Sequence, residues 1–469
     1  MTRNMIKWLA CALFSSLPVA AAWADGAVYA MTNPLANNEI LVYHRASNGN
    51  LNPTTPVQTI ATGGGGSGLQ LSNVDSLQSA GGVQLDQDHR FLFAVNTESA
   101  NQNNGAGTYN TDCQQGTITS FRVAADGTLA FADRVFSGGL FPNSLTVRQR
   151  GNGDFSGAGA GGDVLYVLNA GGPEPPAVCN LTPDTANTPN ITGFRVDRAG
   201  HMIPLDSTQP IDPGPAVGTG VECVDAAGFA ALTGAPAADF ACGLNPPSFP
   251  RSPAQVKFTP DLNSLSLVVT VKGTNAIYVF PVSEDGSVDT PTITQAPGPA
   301  LPSFFGLTFD KQEHLLVTEL FGSSASIPNK AAGAVSSFTI LDSRHLLPIS
   351  SHVPDFGTAA CWIALEPKTG KYAFVSNNLS ATISSYSVGS NGSVTLLNGS
   401  AATPSGPNDL ATATEGGKSF LYVVAAGSGT VGAFKINLTN GVLTALTGSS
   451  VFPGFTPPQT TFPQGIAAF

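Results

Sequence analysis

Short apolar runs recur along the chain in a fixed order. A first run opens where a proline meets a polar residue: Phe141-Pro142-Asn143-Ser144, Phe249-Pro250-Arg251-Ser252, Leu301-Pro302-Ser303, Gly406-Pro407-Asn408-Asp409 and Phe462-Pro463-Gln464-Gly465. A second run is apolar almost throughout, as in Leu92-Phe93-Ala94-Val95, Leu165-Tyr166-Val167-Leu168 and Leu421-Tyr422-Val423-Val424. A third alternates, as in Ile118-Thr119-Ser120-Phe121-Arg122-Val123 and Ile383-Ser384-Ser385-Tyr386-Ser387-Val388. A tight turn follows, at Asn48-Gly49, Asp126-Gly127, Asp285-Gly286 or Asn391-Gly392. Short β-branched and aromatic runs bounded by turn formers are strand chemistry. Asn-Gly and Asp-Gly suit hairpins whose central residues need positive φ.

Seven copies of the second run, the third run and the turn can be placed, beginning with Val28-Tyr29-Ala30. Four-stranded units recurring at about 50 residues predict propeller blades. The first unit lacks its opening strand, while the chain ends on a spare one from Phe462 to Phe469. The expectation is an all-β, seven-bladed β-propeller in which the C-terminal strand completes the first blade. Closing the ring in this way pairs strand edges that would otherwise stay open. The blades form one domain over 25–469, with insertions near 97–116, 150–163, 171–190 and 205–250.

Composition agrees with that picture. Only 11% of the residues are charged, against 52 Gly and 35 Pro, which suits turns and leaves little for the wet faces of helices. An apolar content of 42% supports a packed core. The net charge of −11, with no basic run, argues against nucleic acid as a partner. Arg3 and Lys7, an apolar stretch from Trp8 to Ala22 and Ala22-Trp23-Ala24 read as a signal peptide over 1–24, so the protein is expected to be exported, to the periplasm or beyond. No later stretch reaches the ~20 apolar residues of a membrane span. Five of the six cysteines lie beyond the leader, in a compartment where disulfides persist. Cys223 with Cys242 and Cys113 with Cys179 are the expected pairs, although spacing alone leaves other connectivities open. Cys361, in Ala359-Ala360-Cys361-Trp362, is expected as a small buried hydrophobe.

In a propeller the start of the first strand and the end of the second meet at one rim of the central channel. Asn143, Arg251, Ser303, Trp362, Asn408, Asp409 and Gln464 come from first-strand starts, and Glu98, Asn169, Lys272, Glu319 and Asn377 from second-strand ends. These residues either bind a small polar or anionic ligand or cap the channel by bonding one another and water. Of the histidines only His352, before Pro354-Asp355-Phe356-Gly357, comes near this rim, which gives histidine-based proton transfer little support. No His/Asp/Glu spacing suits zinc, no cofactor is implied, and Gly63-Gly64-Gly65-Gly66 opens no helix and so cradles no phosphate. The chain is expected to act as a monomer.

The Pro-polar steps, second runs ending in Asn or Glu, and Asp-Gly turns resemble the seven-bladed lactonase family, which includes propeller 6-phosphogluconolactonases and 3-carboxymuconate cyclases. The likeness is closest at Ser252-Pro253-Ala254-Gln255-Val256-Lys257-Phe258, Val269-Thr270-Val271-Lys272-Gly273 and Ala359-Ala360-Cys361-Trp362. It implies an exported hydrolase of the lactonase type. The family favours Pro-Arg-His at a first-strand start; Arg251 matches the Arg, and Ser252 stands in place of the His. Arg251 and Lys272 would hold a carboxylate or phosphate, and Glu319 or Glu98 would activate water. The competing expectation is a non-catalytic exported scaffold that binds a polar ligand or a protein through its insertion-rich face.

Overall fold

A computed structural model describes residues 26–34, 37–67, 75, 77, 79–97, 116–149, 162–171, 188–212, 253–260, 265–272, 274–295, 304–320, 333–447, 450–451 and 463–469. Residues 1–24, Glu98, Cys113, Cys179, Cys223, Cys242, Arg251 and Ser303 lie outside them.

The described residues form seven antiparallel sheets of four strands each, six in sequence order and the first led by the C-terminal strand, with Ser450–Val451 adding a short extra pairing in the seventh. The innermost strands are Ile466–Ala468, Val83–Leu85, Pro142–Arg148, Pro253–Phe258, Phe304–Phe309, Ala360–Leu365 and Pro407–Glu415. Each packs beside the next, and Pro407–Glu415 packs beside Ile466–Ala468, so the seven close a circle. Closure falls where the sequence predicts it: Val28 pairs with Ala468, Tyr29 with Ala467 and Ala30 with Ile466. The chain is a seven-bladed β-propeller.

Second strands are buried over nearly their whole length, as in Phe91–Asn96 and Asp163–Asn169, because both faces of a blade are covered by neighbouring blades. Fourth strands alternate buried and exposed positions, as an outer edge must. The predicted turns join third to fourth strands. Six of the seven place a glycine at positive φ, for example Gly127 at 82° and Gly286 at 91°; in blade five Arg344 takes that conformation at 62°. The insertion expected near 205–250 begins later than the sequence suggests, since Met202–Pro210 is the outer strand of blade three.

A device not legible as such in the sequence sits at the start of the innermost strands. Pairing skips a residue between Pro142 and Ser144, Pro253 and Gln255, Phe304 and Leu307, Ala360 and Trp362, and Pro407 and Leu410. Each skip is a β-bulge, which bends a strand and re-aims a side chain. Proline opens three of these strands because its missing N–H costs nothing at a strand's first residue. In blade four the bulge follows Pro253, so the step at Pro250-Arg251 lies ahead of the strand.

Candidate functional site

The last residues of the second strands occupy one equivalent level: Met31, Asn96, Asn169, Val271, Glu319, Asn377 and Ala425. Successive strand residues point to opposite sides, and this parity divides the predicted rim residues into two groups. Side chains at the last position turn outward along their own blade. Asn96 Nδ2 donates to Thr117 and Thr119, Asn169 Nδ2 to Asn190, and Asn377 Nδ2 to Thr382 and Ser384, all on third strands. One residue further on, the side chain turns toward the innermost strand of the next blade. There Asn378 Nδ2 bonds Asn408 Oδ1 at 2.5 Å, Leu320 packs with Cys361 and Trp362, and Lys272 lies with its ammonium 4.9 Å from the Phe305 ring centroid.

Glu319 therefore faces away from the axis, in the place that asparagine takes in three other blades. Its carboxylate is fully buried, accepts a short hydrogen bond from the Ser336 hydroxyl, and lies 2.5 Å from His352 Nδ1. Ser336 belongs to Ala334–Ile340 and His352 to Leu346–Pro354, the third and fourth strands of blade five. The Ser336 oxygen also accepts the His352 backbone N–H at 3.0 Å, and His352 sits at φ 53°, so its backbone is held in a left-handed conformation. The imidazole side chain is 35% exposed. Its hydrogen bond to the Glu319 carboxylate raises its pKa against a smaller opposing effect of burial. His352 does reach this rim, and the structure adds its hydrogen bond to Glu319, which the sequence reading did not make. The signal was present in the residue before Val353, but its Glu partner is 33 positions away and only the folded blade brings the two together.

At the axis the first-strand starts hold a piece of the chain itself. Leu77 N–H donates to Gln464 Oε1 at 2.9 Å, and Gln464 Nε2 donates to Asp75 Oδ1 at 2.8 Å and the Ser79 carbonyl at 2.7 Å. Trp362 Nε1 donates to the Ser79 carbonyl at 2.9 Å, and the Ser79 hydroxyl to the Asn143 carbonyl at 2.5 Å. Ala80 N–H reaches the Ala254 carbonyl, and Gly81 accepts from Leu145 N–H. Asp75, Leu77 and Ser79–Gly81, between blades one and two, are thus tied to the innermost strands of blades one, three, four and six. Asn143, Trp362 and Gln464, expected as a ligand-facing ring, serve this contact, while Asn408 bonds Asn378 and the Pro463 carbonyl. A sequence signal exists in retrospect: Ser79-Ala80-Gly81-Gly82 is a run of small residues. A Cβ at Gly81 would already stand 3.3 Å from the Ser144 hydroxyl.

Several ionisable groups are buried near these residues, Asp409, Lys272 and Cys361 among them. Asp409 Oδ1 accepts the Leu410 N–H, and burial pushes its pKa up to about 7, with Asp75 adding to the rise and Lys257 opposing it. Burial lowers the pKa of Lys272, against the nearby charge of Asp75. Burial likewise raises the thiol of Cys361, which is buried and free, as its apolar surroundings predict. Among the described residues no group of three His, Cys, Asp or Glu side chains is placed to hold a metal ion.

Fold and rim together define a seven-bladed propeller. Residues 251–456, the span of blades four to seven, match the family described as "Lactonase, 7-bladed beta-propeller", and the resemblance seen in the sequence is borne out there. Solved structures with the same fold include a putative 6-phosphogluconolactonase from Bacteroides fragilis, with 16% identity, a TM-score of 0.56, and coverage of 96% of this chain and 99% of that one. The periplasmic gluconolactonase of Pseudomonas aeruginosa aligns at 15% identity with a TM-score of 0.60, over 94% of this chain and 98% of that one. At such identities the likeness is one of fold. No curated protein sequence matches the chain.

Proposed function

We propose that the protein is an exported lactonase that hydrolyses, or in reverse closes, the lactone ring of a small carboxylated or sugar-acid substrate on the rim where second strands end. The observation that carries this reading is the Glu319–His352 pair: a buried carboxylate holding one nitrogen of a half-exposed imidazole. With Nδ1–H donated to Glu319, Nε2 is the basic nitrogen. His352 Nε2 takes a proton from water as the water oxygen attacks the lactone carbonyl, and Glu319 stabilises the imidazolium. Collapse of the tetrahedral adduct breaks the ring C–O bond, and the imidazolium returns the proton to the departing alkoxide. Lactone and water become a hydroxy acid, and no cofactor is needed. Arg251, just ahead of the innermost strand of blade four, is the candidate partner for the substrate's anionic group. The leader-like N-terminus and the periplasmic relative support export.

One observation favours a second reading, a non-catalytic scaffold: Asp75, Leu77 and Ser79 are tied to the innermost strands, where a ligand would otherwise enter. Assays on a panel of five- and six-membered sugar-acid lactones separate the two. The lactonase reading expects turnover above buffer, a loss of about 10²-fold or more in His352→Ala, and smaller losses in Glu319→Gln and Arg251→Ala. Absence of wild-type turnover across the panel, or undiminished turnover in His352→Ala, leaves the scaffold.

A further inference from the structure

Backbone strain is concentrated on one short segment of the rim. Among the described residues eleven other than glycine take positive φ, and three of them lie between 352 and 359: His352 at 53°, Phe356 at 61° and Ala359 at 60°. The left-handed region is costly for a residue with a Cβ, and a bulky side chain there is an outlier. Strained positions persist only where surrounding contacts hold them, and they gather at functional sites. A second phenylalanine, Phe141 at 55°, shares the conformation, but it is buried and packs with Ala170, so burial offsets the strain. Phe356 gains nothing of the kind. At 68% exposure it is the most exposed large apolar side chain among the described residues. Glycine or asparagine would suit this backbone better, and a polar side chain would suit the solvent.

The loop that carries Phe356 is nevertheless fixed on both sides of it. Asp355 N–H donates to the Gly333 carbonyl at 2.9 Å, Gly333 N–H to the Gly357 carbonyl at 3.0 Å, and Gly357 N–H to the Asp355 carboxylate at 2.7 Å. Thr358 N–H reaches Ser380 Oγ at 2.5 Å, and the Ala359 carbonyl accepts the Asn378 N–H at 3.1 Å. The same loop is fastened to the strands of the Glu319–His352 pair. Gly333 precedes Ala334, which pairs with Glu319 on one side and Pro354 on the other. His352 lies four residues before Phe356, at most ~14 Å away along even an extended chain. The polar side chains that follow on the rim bond to the protein: the Asn377 amide nitrogen to Thr382 and Ser384, and that of Asn378 to Asn408. What the loop presents to solvent beside His352 is an aromatic ring on a rigid mount.

We propose that Phe356 is a specificity-determining residue of this rim, a platform for an apolar substituent carried on the lactone ring, so that alkyl-substituted lactones are preferred to unsubstituted ones. The inference rests on the lactonase reading for its reaction, while the platform itself is a binding surface that can be tested without turnover. Covering the exposed ring with an apolar chain removes both surfaces from water. That gain is the same in the ground state and the transition state, so it acts on KM and not on kcat.

The test compares hydrolysis of γ-nonalactone, which carries a pentyl chain, with that of γ-butyrolactone, which carries none. Wild type should show a KM at least about fivefold lower for the pentyl compound. Phe356→Asn, which suits positive φ, should bring the two KM values together with kcat within about twofold of wild type, and its thermal midpoint should equal or exceed that of wild type. Phe356→Trp should restore the preference. No preference in wild type, a preference that survives Phe356→Asn, or a preference lost together with a lowered midpoint would overturn the proposal, the last by showing that Phe356 packs the loop. Binding is read separately by saturation-transfer NMR titration with 3-pentylcyclopentanone, whose ring has no ester to hydrolyse, against cyclopentanone. Tighter binding of the pentyl ketone by wild type, lost in Phe356→Asn, keeps the platform even if no lactone is turned over. Lactone turnover with equal binding of the two ketones keeps the lactonase and overturns the platform.

Discussion

His352 and Asp409 show how far a single environment moves a side chain. The Glu319 hydrogen bond raises the His352 pKa, so the unprotonated imidazole needed to activate water appears only above the ordinary imidazole range. Hydrolysis should therefore rise with pH through an apparent pKa above that of free imidazole. Glu319→Gln should move the inflection back down; a pH–rate profile unmoved by that change would remove His352 from the chemistry. Asp409 is a matter of stability. Its folded pKa is raised to about 7, against about 3.9 for an unfolded aspartate. Between these values the folded chain binds the extra proton, so this group's contribution is complete below about pH 4 and is lost as pH rises to 7. Asp409→Asn should flatten that part of the urea-midpoint curve and stabilise the protein at pH 8, by on the order of 4 kcal/mol at most. Superimposable pH–stability curves for wild type and Asp409→Asn would contradict the assignment.

Between elements, adjoining blades are pinned by tyrosines whose hydroxyls reach the turn of the next blade. Tyr29 bonds the Gly127 carbonyl at 2.7 Å, Tyr166 that of Gly286 at 2.7 Å and Tyr422 that of Gly49 at 2.9 Å. All three tyrosines lie in second strands and are fully buried. The turn glycines are needed twice over, for positive φ and for closeness: a Cβ on Gly127 would stand 2.9 Å from Ala27 Cβ. Tyr422→Phe leaves the Gly49 carbonyl without this donor and should cost about 1–2 kcal/mol, read as a lower urea midpoint at unchanged slope. The strand runs and turns that build these contacts were legible in order, because two-residue periodicity and Asn-Gly or Asp-Gly turns are local properties. The bulges were visible only as Pro-polar steps. A bulge is a mismatch between two strands, and one strand's sequence does not state its partner's register.

For the whole molecule, closure is decided by the last residues. Ile466–Ala468 completes the first blade, Gln464 holds Asp75 and Leu77, and the Phe469 carbonyl accepts from Arg45 Nε at 2.8 Å. Removing residues 463–469 opens the edge of Gly26–Met31 and frees Asp75 and Leu77 together. The truncated chain should lose cooperative thermal unfolding or show a midpoint lower by roughly 10 °C or more, with higher-order species on size-exclusion chromatography. A cooperative monomer with the wild-type midpoint would show that closure contributes little.

The sequence by itself determined the number of blades, the order of their strands, the turns and the closing strand, since each is written in a stretch of a few residues and repeated seven times. It also put Glu319 and Asn377 at second-strand ends and Asn408 near a first-strand start, where the strand bounds have them. It did not separate Glu319 from Lys272, because which way a strand-end residue points depends on parity counted from a register that pairing sets. Nor did it show His352 beside Glu319 or Asp75 beside Gln464, whose partners come from another strand and from a linker without a strand pattern. Those meetings arise only when the ring closes and distant segments share one rim, and on them any chemistry of this propeller depends.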